Sequence, residues 1–457
     1  MSARRIVRQR LIQENEFPNI PSDWDVERMR FLFQESKERN GKNSVGQMLS
    51  VSEYRGVIPR DYANEDQKRT EEELENYKVV RPGQLAVNSM WLNHLGLGVS
   101  DHLGHVSPAY NVYQISDRLD RRFVHHLMRS NYYLKIYLRY LYGIRPNSFQ
   151  IKSNDWASIP IIVPDLSTQR AIADYLDRET ARIDLLIEQK QRLVELLGEK
   201  RSAIITTAVT GNAQNSNRFA VEGGDGVSER QHLGWTKKRI KHHLLGFFGG
   251  GTPSKDNEAF WTNGTVPWVS PKDMKQKKIS SSEDYITAEA VINSAANMVP
   301  INSVLMVVRS GILKHSIPTA INTESVSLNQ DMKAFRFLKS MLPEFFLYWI
   351  DGQQKQLLQD WVQVGATVEN INTRVMLNSE ISVPDLPTQR TIADFLDCET
   401  TRIDHIREKT RVSIDRLREY RSSLITAAVT GQIDVSKWVK AGNAERRLDA
   451  AQATVSV

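Results

Sequence analysis

Apolar residues recur along two stretches of the chain at the spacing of a long amphipathic helix. In the first, Ile172, Leu176, Ile183, Ile187, Val194, Leu197, Ile204 and Ala208 follow one another at intervals of three, four or seven. Such intervals place them on one seam of a coiled-coil helix. No Pro or Gly interrupts the run between Ser167 and Gly198, and Gly211 supplies a natural stop. In the second stretch Ile392, Leu396, Ile403, Ile414, Leu417, Leu424 and Ala428 form the corresponding stripe, closing at Gly431. Each pattern predicts a helix of about 40 residues, roughly 60 Å long at 1.5 Å per residue.

The two stretches are copies of one another. Residues 163–211 and 383–431 align without a gap at an offset of 220, with 28 of 49 positions identical. The first copy opens VPDLSTQRAIADYLDRETARID and ends KRSAIITTAVTG; the second opens VPDLPTQRTIADFLDCETTRID and ends YRSSLITAAVTG. A repeat of this length organises the whole chain. Two apolar seams in one polypeptide most simply bury each other, because an isolated seam is costly in water. An antiparallel pair would hold the segments between the copies apart, as a ruler does. A coiled coil used only for dimerisation is the plainer alternative.

The segments that precede the helices mix periodicities. Residues 17–162 open with FPNIPSDWDVERMRFLF and contain both strand-like (YKVVRPGQLAV) and helix-like (RRFVHHLMRSNYYLKIYLRYL) stretches, which predicts a mixed α/β domain. Residues 233–382 open with LGWTKKRIKHHLL, an echo of SDWDVERMRFLF: a Trp, then charge, then an apolar run. The repeat is therefore expected to reach into the start of each domain. The organisation predicted is a basic arm at 1–16 (Arg4, Arg5, Arg8, Arg10), a first domain at 17–162, a helix at 163–211, and a polar linker at 212–232. A second domain at 233–382, a helix at 383–432 and a tail at 433–457 complete it.

Composition narrows the class. The chain has 457 residues, 40% hydrophobic and 25% charged, enough for several packed cores. The net charge of +6 with a pI of about 9.1 makes nucleic acid a plausible partner without requiring one. The helices are nearly neutral, with seven positive and seven negative residues in 167–211 and eight against seven in 387–431, so most of the excess lies elsewhere. A single cysteine, Cys398, excludes an intramolecular disulfide and fits a reducing compartment. No stretch approaches the roughly 18 apolar residues of a membrane span. The expectation is a cytoplasmic protein.

Candidate catalytic motifs are weak. Gly246 to Gly251 has the glycine spacing of a phosphate loop but is followed by Thr252 where the motif needs Lys. Ser107-Pro108-Ala109-Tyr110 only superficially resembles the tetrapeptide of adenine methyltransferases. Pro164-Asp165 with Glu188 and Lys190 mimics a nuclease spacing, but Glu188 and Lys190 fall within a predicted helix. His125-His126 and His242-His243 lack the spacing of a metal-ligand set. No catalytic residue and no metal site are expected. Trp91, Trp261 and Trp268 read as core residues.

The VPDL lead-in, TQRAIADYLD, RID and the closing AVTG, present twice, resemble the specificity subunit of type I restriction–modification systems. GGGTPSKDNEAFW (249–261), VPWVSPKDM (266–274) and SLNQDMKAF (327–335) are similar to that family's target-recognition domains; YKVVRPGQLAVNSMW (77–91) and VSPAYNVYQI (106–115) are a weaker match. The resemblance implies a mixed α/β fold: two globular target-recognition domains separated by two long antiparallel coiled-coil helices with a pseudo-two-fold internal repeat. It implies a non-catalytic DNA-binding subunit, each domain reading one half of a split double-stranded site, while the helices set the spacer and dock two methyltransferase subunits. Two restriction subunits would join for cleavage. S-adenosylmethionine for adenine N6 methylation, and ATP and Mg for restriction, would sit on those partners and not on this chain. A reader from a related modification or defence system without a restriction subunit, a self-contained nuclease or methyltransferase, and a coiled-coil scaffold stay open as alternatives.

Within that frame Lys272, Lys275, Lys277 and Lys278 form a run suited to phosphates, although a lysine run is also an ordinary solvated loop. Arg309 follows a buried-strand pattern (SVLMVV) and is placed to read guanine, as arginine often does, or to form an internal ion pair. Arg145, Asn147 and Ser148 precede the first VPDL, and Thr367 and Asn370 precede the second. Both loops are expected to approach DNA, with a plain structural turn as the competing view.

Overall fold

The computed structural model describes residues 20–52, 56–60, 71–145, 148–211, 234–363 and 368–435. The expected basic arm, the linker, most of the tail, Asn147 and Thr367 lie outside them. The chain forms two compact units: Met1–Gln191 with Val412–Val457, and Arg192–Arg411. The division falls inside both long helices. Each unit thus combines one globular domain, the first half of the helix that follows it, and the last half of the other helix.

In unit one the first sheet strands are β1 (Asp25–Arg28), β2 (Phe33–Glu35), β3 (Gln47–Ser52), β4 (Gly56–Pro59), β5 (Lys78–Val80), β6 (Leu85–Asn88), β7 (Leu97–Val99), β8 (Gly104–Val106) and β9 (Tyr110–Ile115). Helices α1 (Arg121–Met128) and α2 (Asn131–Tyr140) follow; Asp120 and Ser130 cap them, each side chain accepting backbone N–H bonds. The hairpin β10 (Tyr142–Arg145) and β11 (Ser148–Gln150), helix α3 (Ser153–Ser158) and strand β12 (Pro160–Val163) lead into α4 (Leu166–Thr210). One sheet has the order β2-β9-β6-β7, another β4-β3-β8-β5. Strand β1 pairs antiparallel with β12, Asp25 opposite Val163.

Unit two repeats this design. Its strands are β13 (Thr236–Arg239), β14 (Leu244–Gly249), β15 (Val266–Val269), β16 (Lys278–Ile279), β17 (Asp284–Ile286), then helix α5 (Ala288–Asn293). Next come β18 (Met298–Val299), β19 (Val304–Val307), β20 (Thr319–Asn322), β21 (Val326–Leu328) and β22 (Met332–Phe337). Helix α6 (Pro343–Trp361), the hairpin β23 (Val362–Gln363) and β24 (Asn370–Ile371), helix α7 (Thr373–Asn378) and β25 (Glu380–Val383) precede α8 (Leu386–Val429). The sheet orders are β14-β22-β19-β20-β16 and β17-β15-β21-β18. Apart from the added edge strand β16, these match unit one strand for strand. The single parallel pairing within the second sheet also recurs, β3 with β8 and β15 with β21.

The echo between the domain starts has a structural basis. After Trp24 and Trp235, β1 and β13 pair with β12 and β25, the strands that feed the long helices. One step on, Met29 N–H donates to Ile159 O at 2.9 Å and Ile240 N–H to Ser379 O at 3.0 Å.

The repeated motif builds the joint between domain and helix. Asp165 and Asp385 end the VPD lead-ins and cap the helices, accepting backbone N–H bonds from Thr168 and Thr388. Hydrogen bonds from Ser167 and Thr168 hold the Asp165 carboxyl far below the usual carboxylate range. Behind each cap lies a fully buried glutamine. Gln169 donates to Pro164 O (2.8 Å) and Arg118 O (3.0 Å) and accepts from Asp120 N–H (2.7 Å). Gln389 donates to Pro384 O (2.8 Å) and Ser340 O (3.1 Å) and accepts from Leu342 N–H (2.8 Å). In both units the glutamine fastens the start of a domain helix, since Asp120 caps α1 and Leu342 caps α6.

The apolar stripe divides between the units. In unit one Ile172, Leu176 and Ile183 are buried with Leu424, Ile425, Ala428 and Val429, while Ile187 and Leu417 are half-buried at the rim. Ile414 is buried as well. In unit two Ile205, Ala208 and Val209 share a core with Ile392 and Leu396, with Ile204 beside them. Ile403 is buried, whereas Val194 and Leu197 are half-buried. Asp184 pairs bidentately with Arg421 at 2.8 and 3.0 Å in unit one, and Arg201 with Asp404 at 3.0 Å in unit two. Each pair joins the RID aspartate of one copy to the RS arginine of the other. In unit two Gly198 faces Arg407 while Arg201 faces Asp404, so the two helix segments run in opposite directions there. Helix α8 ends in a Schellman turn: Gly431 at φ +75°, with Gln432 N–H to Ala427 O and Gly431 N–H to Ala428 O.

Helix α6 crosses α4 so closely that a Cβ built on Gly352 would lie 2.6 Å from Val209 Cγ2 and 3.2 Å from Thr206 Cα. Thr206 Oγ1 donates to Gly352 O at 2.7 Å. Mid-helix Gly→Ala ordinarily stabilises by about 1 kcal/mol. Here the stiff, buried Val209 cannot yield, so Gly352→Ala is expected to lower the midpoint of denaturant unfolding; a rise would refute the close crossing.

Candidate nucleic-acid interface

In unit two, β16 and the turn before it carry the lysine run along a cleft of about 630 Å³. Lys272, Lys275 and Lys277 line one wall; Ser310, Ile317, Asp351 and Gln354 line others. The lysines are not free. Lys272 is 2.8 Å from Asp284 and 3.3 Å from Glu283, Lys275 is 3.2 Å from Glu283, and Lys277 is 2.5 Å from Asp351. Hydrogen bonds from Lys275 and Lys272 hold the Glu283 carboxyl below its ordinary value. Lys278 is exposed on β16. These pairs are solvent-screened and individually weak, so a polyanion can displace the carboxylates, at a cost.

Arg309 and Asn370 are brought together. β19 is buried throughout, and the chain leaves it through Val308, Arg309 and Ser310. Arg309 makes a β-bridge with Asn370, Ser310 N–H donates to Glu369 O (3.1 Å) and Ile371 N–H to Val308 O (2.8 Å). The exposed Arg309 therefore rests on an arm of the hairpin β23–β24.

In unit one Arg145 and Ser148 face each other across the hairpin β10–β11, which occupies the same place in the fold as β23–β24. Strand β11 packs on the 3-10 turn Leu92–His94. Here one expectation fails: Trp91 is not core but 55% exposed. Leu92, fully buried, takes the inward position of that turn and leaves Trp91 outside. Trp268 is buried, its Nε1–H donating to Gly251 O, and Trp261 is half-buried against it.

The other motifs resolve into structure. Gly250 lies against Asn329 backbone and Gly251 against Ala295, where no Cβ fits. Ser107 Oγ accepts from Ala109 N–H within a turn. Asp165 caps α4, whereas Glu188 lies more than twenty residues along the same helix, about 35 Å away at 1.5 Å per residue. His125 is half-buried and its pKa is pushed down to about 3, by desolvation first and then by Arg129 and His126. Among the described residues no group of three or more His, Cys, Asp or Glu could hold a metal ion, and no helix is long and apolar enough to cross a membrane.

Sequence reading missed the two glutamines and the carboxylates that hold the lysines. The glutamines are visible as the shared TQR. Of the carboxylates, Glu283 and Asp284 are near their lysines in sequence, but Asp351 is 74 positions from Lys277.

Residues 233–414 match the family model of the type I restriction modification DNA specificity domain. Over that segment the chain is similar to the DNA specificity domain of type I restriction–modification systems. The specificity subunit of the type I restriction enzyme EcoR124I/EcoR124II from Escherichia coli is 39% identical over 182 residues, covering 39% of this chain and 45% of that subunit. That of MjaIX from Methanocaldococcus jannaschii is 26% identical over 166 residues, covering 35% and 37%. The chain thus spans less than half the length of either relative. Among solved structures, a chain from a study of complex assembly and conformational transition of the type I R-M system superposes with a TM-score of 0.64 at 16% identity, covering 91% of this chain and all of that one. The HsdS subunit from Thermoanaerobacter tengcongensis gives 0.54 at 15% identity, covering 91% and 99%. At such identities the likeness is one of fold.

Glu283→Gln should release Lys275 and loosen Lys272. The variant is expected to elute from heparin at higher salt than the parent, and unchanged elution would show that the carboxylate does not restrain the lysines.

Proposed function

We propose that the chain is the DNA sequence-recognition subunit of a type I restriction–modification complex. One observation carries this reading: the same domain topology is built twice, each copy ending on the same helix motif, while the exposed residues around the two hairpins differ. Two readers of one design with different surfaces suit a split target whose halves differ.

In this reading the two helices pair antiparallel along their length, separate the target-recognition domains and set the unread spacer. A spacer of about 60 Å exceeds one turn of B-DNA, roughly 34–36 Å. The shared helix motif, presented twice, offers equivalent docking places for two methyltransferase subunits; two restriction subunits join that core. This chain carries no catalytic step. Adenine N6 methylation uses S-adenosylmethionine on the methyltransferase, and restriction uses ATP and Mg on the partners. Target bases must leave the stack to be modified, and a reader gripping both flanks stabilises the distorted duplex. Arg309 is the guanidinium best placed to read a base edge, worth about 1–3 kcal/mol of discrimination. Lys272, Lys275, Lys277 and Lys278 supply phosphate contacts that strengthen as salt falls.

The test is a single-molecule methylome of a methylation-free host expressing this chain with its cognate methyltransferase subunit, and each protein alone. Methyladenine in one split motif, only on co-expression, is the expected result; none from a stable complex would overturn the reading. Four residues inserted into each helix should add roughly 6 Å and lengthen the unread spacer without changing the bases read.

A further inference from the structure

Domain one has no arginine where domain two presents Arg309. The turn Ser89–Trp91 leaves β6 as Val308–Ser310 leaves β19, and each is followed by a 3-10 turn, Leu92–His94 or Gly311–Lys314. Each sits beside the terminal hairpin of its domain: β11 packs on Leu92–His94, and Arg309 bridges to Asn370. At this place domain one presents Met90 and Trp91, 41% and 55% exposed. The neighbouring hairpin shows the partly exposed rings of Tyr142 and Phe149, and Lys152 lies 5.1 Å from the Tyr142 ring centre.

The mount of Trp91 is rigid. Its N–H donates to Asn88 O (3.0 Å), and its carbonyl accepts from His94 (3.1 Å) and Gly96 (2.8 Å). Leu95, closing the 3-10 turn, is held at φ +52°, in the left-handed region that a leucine rarely enters. Arg129 Nη1 binds the Leu95 and Leu97 carbonyls at 3.2 and 2.5 Å, and its Nη2 reaches Ser52 O. Backbone strain of this kind persists only where the surroundings over-determine it. A large aromatic ring left in water on so constrained a base contributes little to the core; it is a surface prepared for a flat apolar partner.

Resting on the proposed reading, we infer that Trp91 is a base-contacting residue for the first half-site, taking by apolar and stacking contact the place that Arg309 takes in the second. The ligand chemistry is the face or methyl edge of a base. Aromatic contact with bases is tolerant of salt, unlike contact with phosphate.

The experiment uses the full chain with its methyltransferase partner. Duplexes carry the methylome-defined target, or that target with either half scrambled, and affinity is measured at several salt concentrations. Trp91→Ala should weaken target binding roughly five- to a hundred-fold, with unchanged thermal unfolding and unchanged salt slope. The loss should vanish on the duplex whose first half is scrambled, and Trp91→Phe should restore most of the affinity. Parent-like binding by Trp91→Ala, or an equal loss on every duplex, would overturn the inference while the parent's preference for the intact target upholds the proposed function. A parent without that preference would overturn both.

Discussion

A buried amide fixes the angle at which each variable domain meets its helix. Gln169 and Gln389, fully buried, each satisfy two carbonyls and one N–H. A buried backbone group left unpaired costs about 1–3 kcal/mol, so the three bonds act as a clasp with one geometry. Around it the remaining repeated residues fall into place. The VPD aspartate caps the helix, isoleucine and leucine fill the core, and the aspartate of YLD or FLD, Asp177 or Asp397, reaches back to the domain. That aspartate meets His126 and Arg122 in unit one and Tyr348 in unit two. The motif is constant because the joint is constant, while its partners in the domain vary.

This separation explains how two dissimilar domain sequences share one topology. The strands are short, and what the fold requires of them is a buried central strand (β6, β19) hydrogen-bonded to a neighbour on each side. Many residues meet that demand. The turn that leaves the central strand and the terminal hairpin lie outside it and are free to differ, which is why Trp91 and Arg309 can occupy equivalent places.

The helices were legible in the sequence because a period of three and four survives every local accident, and Gly211 and Gly431 mark their ends. The capping aspartates and TQR glutamines were visible as identities but not as a clasp, since their partners Arg118, Asp120, Ser340 and Leu342 lie 47 to 51 positions away. The common domain topology was hidden because strands of two to six residues leave little pattern. Trp91 read as core because large aromatics usually are; its exposure depends on the next residue, Leu92, taking the inward position. The lysine run was plain, but Asp351, which restrains Lys277, was brought in by the fold from 74 positions away.

The composition of the two units also bears on their birth at the ribosome. Unit two is one continuous stretch, Arg192–Arg411, and can close once that stretch has emerged. Unit one needs Leu424, Ile425, Ala428 and Val429 in its core, residues made more than two hundred positions after Ile183. Contacts this distant in sequence form late, and nascent domains otherwise tend to fold in the order of synthesis. The amino-terminal half must therefore wait, with the seam of α4 uncovered, while the half translated after it finishes first.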